Sequence, residues 1–289
     1  MDGIDFDLFR GEAFGFLGPN GAGKSSTMRM LGCVSPPTAG ELTILHGDPV
    51  RDGAQIRARL GVVPQEDTLD SELSVRENLL VYGRYFGLPR KLINERTDQL
   101  LDFVQLAERA DSQVDPLSGG MKRRLTIARS LINDPDILIL DEPTTGLDPQ
   151  ARHVVWDRLF SLKQRGVTLI LTTHYMDEAE QLCDRLVVMD HGKIAAEGAP
   201  RDLIAQYSTS EVLELRFASG TQEVAVEKIK DLSPERLEVT ADRLLIYASD
   251  GDEFLARVHE AGIEPLTELV RRSTLEDVFL HLTGRTLVD

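Results

Sequence analysis

Short continuous apolar runs recur through residues 1–205: Phe14–Leu17, Leu60–Val63, the stretch DILILD at Asp136–Asp141, and Thr168–Leu171. Each stops at a loop of small or polar residues, the pattern of parallel strands buried on both faces. Between them the hydrophobic period lengthens to that of a helix. Val75, Leu79, Tyr82 and Phe86 follow Ser74-Val75-Arg76-Glu77, a capping box that starts a helix. That stripe reads as core packing, with a groove for a partner as the second reading. Helices are also predicted from Lys24-Ser25 through Leu31, over Lys91–Ala107, Met121–Ile132 and Met176–Cys183, and through Val154, Val155, Leu159 and Leu162 after Asp148. Arg185–Met189 and Ile194–Glu197 read as a hairpin about His191-Gly192-Lys193. Met1–Arg10, with Ile4, Phe6 and Leu8 alternating among acids, reads as a half-buried strand, and Glu41–Leu45 as a short one. Strands alternating with helices make the fold class α/β with a mostly parallel core sheet.

From Gln206 the rhythm changes. Tyr207-Ser208-Thr209-Ser210 is a short polar linker, and Glu211–Phe217 and Leu237–Ala248 alternate like strands. Asp252–Gly262 reads as helix, Pro265–Arg271 as strand and Thr274–Leu282 as helix. The expected division is 1–205 and a small α+β domain at 206–289.

Composition narrows the function classes. The 289 residues are 42% hydrophobic and 28% charged, ordinary for a soluble globular protein. A net charge of −16 argues against broad affinity for nucleic acid or anionic lipid, which needs Lys/Arg to neutralise phosphate. The two cysteines, Cys33 and Cys183, have no metal or redox spacing, which fits a reducing cytosol. No apolar run reaches the length needed to span a bilayer, so a membrane role is expected to go through a partner.

Candidate chemistry centres on Gly18-Pro19-Asn20-Gly21-Ala22-Gly23-Lys24-Ser25-Ser26. Its G-x-x-x-x-G-K-S spacing, after a strand and opening a helix, is the phosphate-binding loop pattern. Glycines let backbone N–H groups close around a polyphosphate, and the helix N-terminus adds partial positive charge. Lys24 is expected on the β/γ-phosphates and the Ser25 hydroxyl on Mg²⁺. Asp141-Glu142 end a buried strand, where open α/β sheets bind ligands. Asp141 is expected to hold Mg²⁺, and Glu142 to orient and deprotonate an attacking water. His174, after another strand at the same sheet edge, is expected on the γ-phosphate. Ser118-Gly119-Gly120 precede a helix and read either as an ordinary N-cap or as a second anion site. Gln65 alone, just past a strand, reads as a solvated loop residue, and Lys122, Arg123 and Arg124 read as a solvated face.

Taken in order, Gly18–Ser25, Gln65, Leu117–Gly120, Asp141-Glu142, Asp148 and His174 resemble the motif set of ABC-type ATPases, over about residues 1–205. The stretches VVPQEDTLDSELSVRENLLVYGRYFGL, LSGGMKRRLTIARSLINDPDILILDEPTTGLDPQARHVVW and TTHYMDEAEQLCDRL, with LEDVFLHLTGR at Leu275–Arg285, are similar to ATPase subunits of nodulation-factor lipo-oligosaccharide exporters and daunorubicin-type drug exporters. The resemblance implies a P-loop ATPase with a mostly parallel core sheet, an antiparallel β part, a helical subdomain and the small C-terminal domain. It implies a head-to-tail homodimer with ATP and Mg²⁺ sandwiched between the phosphate loop of one copy and Ser118-Gly119-Gly120 of the other. Gln65 would sense Mg²⁺ and an integral membrane permease, Asp148 would couple the two sites, and His174 would hold the γ-phosphate and water. The helix after Ser74 would help receive the membrane subunit, placing the chain at the cytoplasmic face of the membrane. The rival reading is a soluble ABC ATPase acting on ribosomes or DNA. Against it stand the single LSGG, the lack of sustained heptads and the acidic charge. One departure stands out: the family has an upstream strand and an aromatic that stacks on adenine, and the sequence begins at MDGIDF. A misplaced start, a truncation or weakened adenine binding would each account for it, and ATP dependence with poor base discrimination is expected.

Overall fold

The computed structural model describes residues 1–218 and 221–284. The chain divides into two compact units, Met1–Ala199 and Pro200–Asp289, at the start of a helix just ahead of the Tyr207–Ser210 linker. Arg285, the last residue of the C-terminal resemblance, lies outside the described residues.

The first unit runs through β1 (Ala13–Leu17), α1 (Lys24–Leu31), α2 (Gly53–Arg57), β2 (Leu60–Val63), α3 (Val75–Tyr85) and α4 (Arg90–Phe103). It continues with α5 (Gly119–Ser130), β3 (Ile137–Asp141), α6 (Pro149–Gln164), β4 (Thr168–Thr173), α7 (Met176–Leu182), β5 (Arg185–Asp190) and β6 (Lys193–Gly198). Among the described residues the strands form one sheet in the order β2-β3-β4-β1-β5-β6, parallel except for β6. β1 and β4 are buried throughout, as their unbroken apolar runs require. The β5–β6 hairpin turns at His191 and Gly192, with φ of 47° and 78°, and Gly192 takes that left-handed conformation without strain.

The capping box forms in full: Glu77 N–H donates to Ser74 Oγ at 3.2 Å and Ser74 N–H to Glu77 Oε2 at 2.9 Å. Val75 and Leu79 of the helix it starts are fully buried against Leu101, Val104, Leu106 and Leu125, so α3, α4 and α5 share a core of their own. Tyr82 and Phe86 are half-buried and meet edge to face. Core packing therefore holds for the first half of the stripe, while Tyr85 beside it is 79% exposed.

Two predicted strands are absent among the described residues. Met1–Arg10 keeps its alternation, with Ile4, Phe6 and Leu8 packed on the core and Phe6 edge-on to Phe16, but it joins no ladder. Its apolar side chains pack without a strand ladder, and the backbone is tied down by the Asp2 N–H on the Gly192 carbonyl at 2.9 Å. At Glu41–Leu45 a tight turn replaces the strand: Ile44 and Gly47 exchange backbone hydrogen bonds around Leu45 and His46, both at positive φ.

The second unit contains α8 (Pro200–Tyr207), β7 (Glu211–Arg216), α9 (Gln222–Asp231), β8 (Arg236–Val239), β9 (Leu244–Ala248), α10 (Gly251–Glu260), β10 (Thr267–Arg272) and α11 (Leu275–Thr283). Its strands form an antiparallel sheet in the order β10-β7-β9-β8. Leu213, Leu215, Leu244 and Ile246 pack with Phe254 and Val258 of α10 and Ile229 of α9. Val212, Leu245 and Tyr247 form a second cluster with Leu280 of α11. The Leu237–Ala248 run is two strands rather than one, because Thr240 and Arg243 close a turn inside it.

Candidate active site

Strand register brings the site residues to one edge. Leu17 pairs with Thr173 across β1 and β4, and Asp141 pairs with Thr172 across β3 and β4. The carboxyl ends of three parallel strands thus align, and the phosphate loop, Glu142 and His174 extend from them. Thr172 locks the register by donating its hydroxyl to Asp141 Oδ1 at 2.5 Å.

The loop needs its glycines. A Cβ on Gly18 would come 2.3 Å from the Met189 carbonyl oxygen, and Gly23 sits at φ 107°. Lys24, 5% exposed, folds back to donate to the carbonyls of Gly18 and Pro19 at 2.6 and 3.1 Å. Burial pulls its pKa down, while the charges of Glu142 and Asp141 push it up. A cleft of about 180 Å³ is lined by Pro19, Asn20, Gly21, Gly23, Lys24, Ser25, Ser26, Gln65 and Glu142. Ala22 faces the core instead, as part of the cluster around Phe14 and Phe16.

Glu142 is the hub. Gln65 Nε2 and Thr145 Oγ1 both donate to its Oε2 at 3.1 Å. His174 Nδ1 stands 3.4 Å from its Oε1, and Lys24 Nζ stands 4.0 Å from the same oxygen. The His174 contact is not aligned as a hydrogen bond, so Nδ1 is a buried polar atom without a hydrogen-bond partner. Glu142 has φ 47°, unusual for a residue with a Cβ and worth about 1–3 kcal/mol of backbone strain. Its N–H donates to Thr172 O at 3.2 Å and to Thr172 Oγ1 at 3.0 Å, which holds the turn. Gln65 is an exposed loop residue, as read from the sequence, and its side-chain amide nevertheless reaches the carboxylate.

Arg123 overturns the expectation of a solvated face. It is 4% exposed, and its guanidinium spreads over backbone carbonyls: Pro143 at 2.7 Å, Asp141 at 2.9 Å and Glu142 at 3.1 Å, together with Pro64. Arg124 also turns inward, to the Val104 carbonyl. Charge predicts exposure unless carbonyls left over at strand ends need a multi-donor partner, and those carbonyls are visible only once β2 and β3 lie side by side. Thr145 was missed for a plainer reason: a hydroxyl in a turn carries no signal without its neighbour.

Ser118, Gly119, Gly120 and Asp148 are not part of the cleft lining. Ser118 caps α5 through Met121 N–H at 3.3 Å, and Asp148 caps α6 through Ala151 N–H at 2.9 Å. Both caps are exposed.

Among the described residues, no group of three or more His, Cys, Asp and Glu side chains could hold a metal ion. The Ser25 hydroxyl, Gln65 amide and Asp141 carboxylate are hard oxygen donors and suit Mg²⁺, which takes few protein ligands and completes its shell with phosphate and water. The orphaned His174 Nδ1 likewise suits a phosphate oxygen or water. Among the described residues, no helix is long and apolar enough to cross a membrane.

The ABC transporter family model matches residues 1–145, and that of the nodulation factor export protein NodI C-terminal domain matches residues 223–284. The chain is 51% identical over 288 residues to the Nod factor export ATP-binding protein I of Rhizobium sp. (strain N33), covering 99% of this chain and 93% of that one. Among solved structures, cbiO1 from Clostridium perfringens, part of the ABC transporter complex cbiONQ, is 32% identical with a TM-score of 0.66, over 71% of this chain and 83% of that one. The dimeric post-hydrolysis state of the ATP-binding cassette MJ0796, bound to ADP and Pi, is 27% identical with a TM-score of 0.62, over 68% of this chain and 88% of that one.

Proposed function

The chain belongs to the ABC transporter ATP-binding family as the ATPase subunit of an exporter, and from that premise we propose that it powers export of a lipid-linked oligosaccharide of the Nod factor kind. Identity of 51% sustained over 93% of a Nod factor export ATP-binding protein is the observation that carries this substrate class. The chain works as a head-to-tail homodimer on the cytoplasmic face of the membrane, beneath an integral permease that supplies the cargo path. Exposed Tyr85, at the end of α3, belongs to the surface offered to that permease.

Within each site the phosphate loop N–H groups and Lys24 hold the β- and γ-phosphates. Ser25, Gln65 and Asp141 would hold Mg²⁺, which would supply neutralisation of the charge developing on the phosphates. Glu142, kept in place by Gln65 and Thr145, takes a proton from the attacking water. His174 steadies the γ-phosphate and that water. Ser118, Gly119 and Gly120 close on the γ-phosphate of the opposite copy, with the α5 N-terminal dipole behind them. Asp148 meets the opposite site at the same interface.

The test is to capture tagged Glu142→Gln chain with ATP from detergent-solubilised membranes of the native host. A multi-span membrane protein in stoichiometric amount is expected. With the unmutated chain, turnover of that complex should rise with lipo-oligosaccharide and not with the same sugar lacking its acyl chain. A soluble homodimer alone would overturn the exporter assignment. Equal response to both sugars would overturn the substrate class.

A further inference from the structure

Arg123 has no part in the chemistry above, yet its guanidinium reaches five backbone carbonyls of the site's frame. It sits one turn into α5, whose N-terminus is Ser118. Its guanidinium holds the carbonyl of Pro64 immediately before Gln65 and approaches that of Gln65 at 3.4 Å. The same group holds the carbonyls of Asp141, Glu142 and Pro143. Glu178 of α7 braces the other side of this turn: its Oε1 accepts the Thr144 hydroxyl at 2.8 Å and Trp156 Nε1 at 3.1 Å. The start of α5 is also packed without slack against α6, since a Cβ on Gly120 would lie 2.8 Å from Ala151 Cβ. A shift of α5 therefore passes to the backbone carrying Gln65 and Glu142 rather than being absorbed locally.

We propose that Arg123 is a positioning residue that couples the two ATP sites: when Ser118–Gly120 of one copy engages the opposite nucleotide, Arg123 carries the movement of α5 to Gln65 and Glu142 of its own site. The inference rests on the composite-site reading given above. Lysine cannot replace arginine here, because one ammonium cannot reach carbonyls on two separate strand ends.

The experiment uses the full chain with its co-purified membrane subunit and compares Arg123→Gln, Arg123→Lys and Ser118→Arg. Equilibrium ATP binding and melting temperature are measured beside steady-state hydrolysis. In both Arg123 variants ATP affinity should stay within about threefold, and kcat should fall roughly 10- to 100-fold, as expected for a displaced catalytic group. The Hill coefficient for ATP should drop to 1 from a wild-type value above 1. Unchanged kcat, an unchanged Hill coefficient, or binding and melting temperature lost together with kcat would overturn the coupling role. Normal turnover of Ser118→Arg would instead sink the composite-site reading. Loss of turnover there, beside normal Arg123 variants, would sink the coupling alone.

Discussion

Lys24 Nζ lies 4.0 Å from Glu142 Oε1 with both side chains buried, yet the lysine spends its hydrogen bonds on the Gly18 and Pro19 carbonyls. Those carbonyls and the carboxylate occupy the lysine in the place where phosphate oxygens would satisfy it. Replacing Lys24 by Met removes a charge-assisted contact worth about 1.5–3 kcal/mol. ATP affinity should fall roughly 10- to 100-fold, read by equilibrium titration. The fold should survive, because the substitution also removes a buried charge. A Lys24→Met chain that binds ATP normally would remove Lys24 from the phosphate site.

Glu142→Gln keeps an oxygen for Gln65 and Thr145 to donate to but cannot take up a proton. Nucleotide affinity should stay within a few-fold while turnover drops by 10²–10⁴, the usual contribution of general base catalysis. Single-turnover hydrolysis with a trapped ATP complex is the direct measurement. Turnover near wild type would assign the proton to another group.

How much of this was legible follows from where each signal resides. Gly18 to Ser25, Asp141-Glu142 and the Ser74 capping box are local in sequence, so spacing sufficed to find them. Gln65 and Arg123 acquire their contacts only when β2 and β3 are side by side, since their partners are 77 and 18–20 or 58–59 residues away, and for Gln65 only the motif order of the family resemblance pointed to a role. Thr145 shows that separation is not the whole reason, because its bond depends on the positive φ of Glu142, which no residue pattern announced. In the second unit, α9 drew no sequence reading, having only Ala225 and Ile229 buried among charged neighbours. The apolar alternation of Met1–Arg10 reported burial correctly and pairing wrongly, since period two does not require a ladder partner.

Glu178 gives a pH signature. It is fully buried; burial pushes its pKa up, and the bonds from Thr173, Thr144 and Trp156 only partly offset this. Its Oε2 has no hydrogen-bond partner. A carboxyl raised in the folded state stabilises most below its ordinary value of 4.5, and that contribution is lost as pH rises through the folded value. Glu178→Gln stays neutral throughout. Its melting temperature relative to wild type should therefore improve as pH rises above 4.5. A pH-independent difference would show that Glu178 is not carrying that cost.

Asp277 in the second unit has the opposite sign. It is 1% exposed and takes Arg271 Nη1 and Nη2 at 2.7 and 2.9 Å, Tyr247 OH at 3.1 Å and Thr274 N–H at 2.8 Å. Burial alone would push its pKa up, but Arg271 and these hydrogen bonds overcome it, and the net shift is downward from 3.8. A depressed carboxyl contributes stability above its unfolded value and loses it as pH falls through the folded value. Asp277→Asn breaks a buried ion pair from one side and leaves Arg271 with the Glu214 carboxylate and the Arg272 carbonyl, at a cost of about 3–5 kcal/mol near neutral pH. The gap between variant and wild type should narrow below about pH 4, where the wild-type carboxyl protonates too. Hydrogen exchange of the β7 and β9 amides reads it without reference to the first unit. If protection in those strands is the same in both proteins at pH 7, the Asp277 cluster does not hold the sheet to α11.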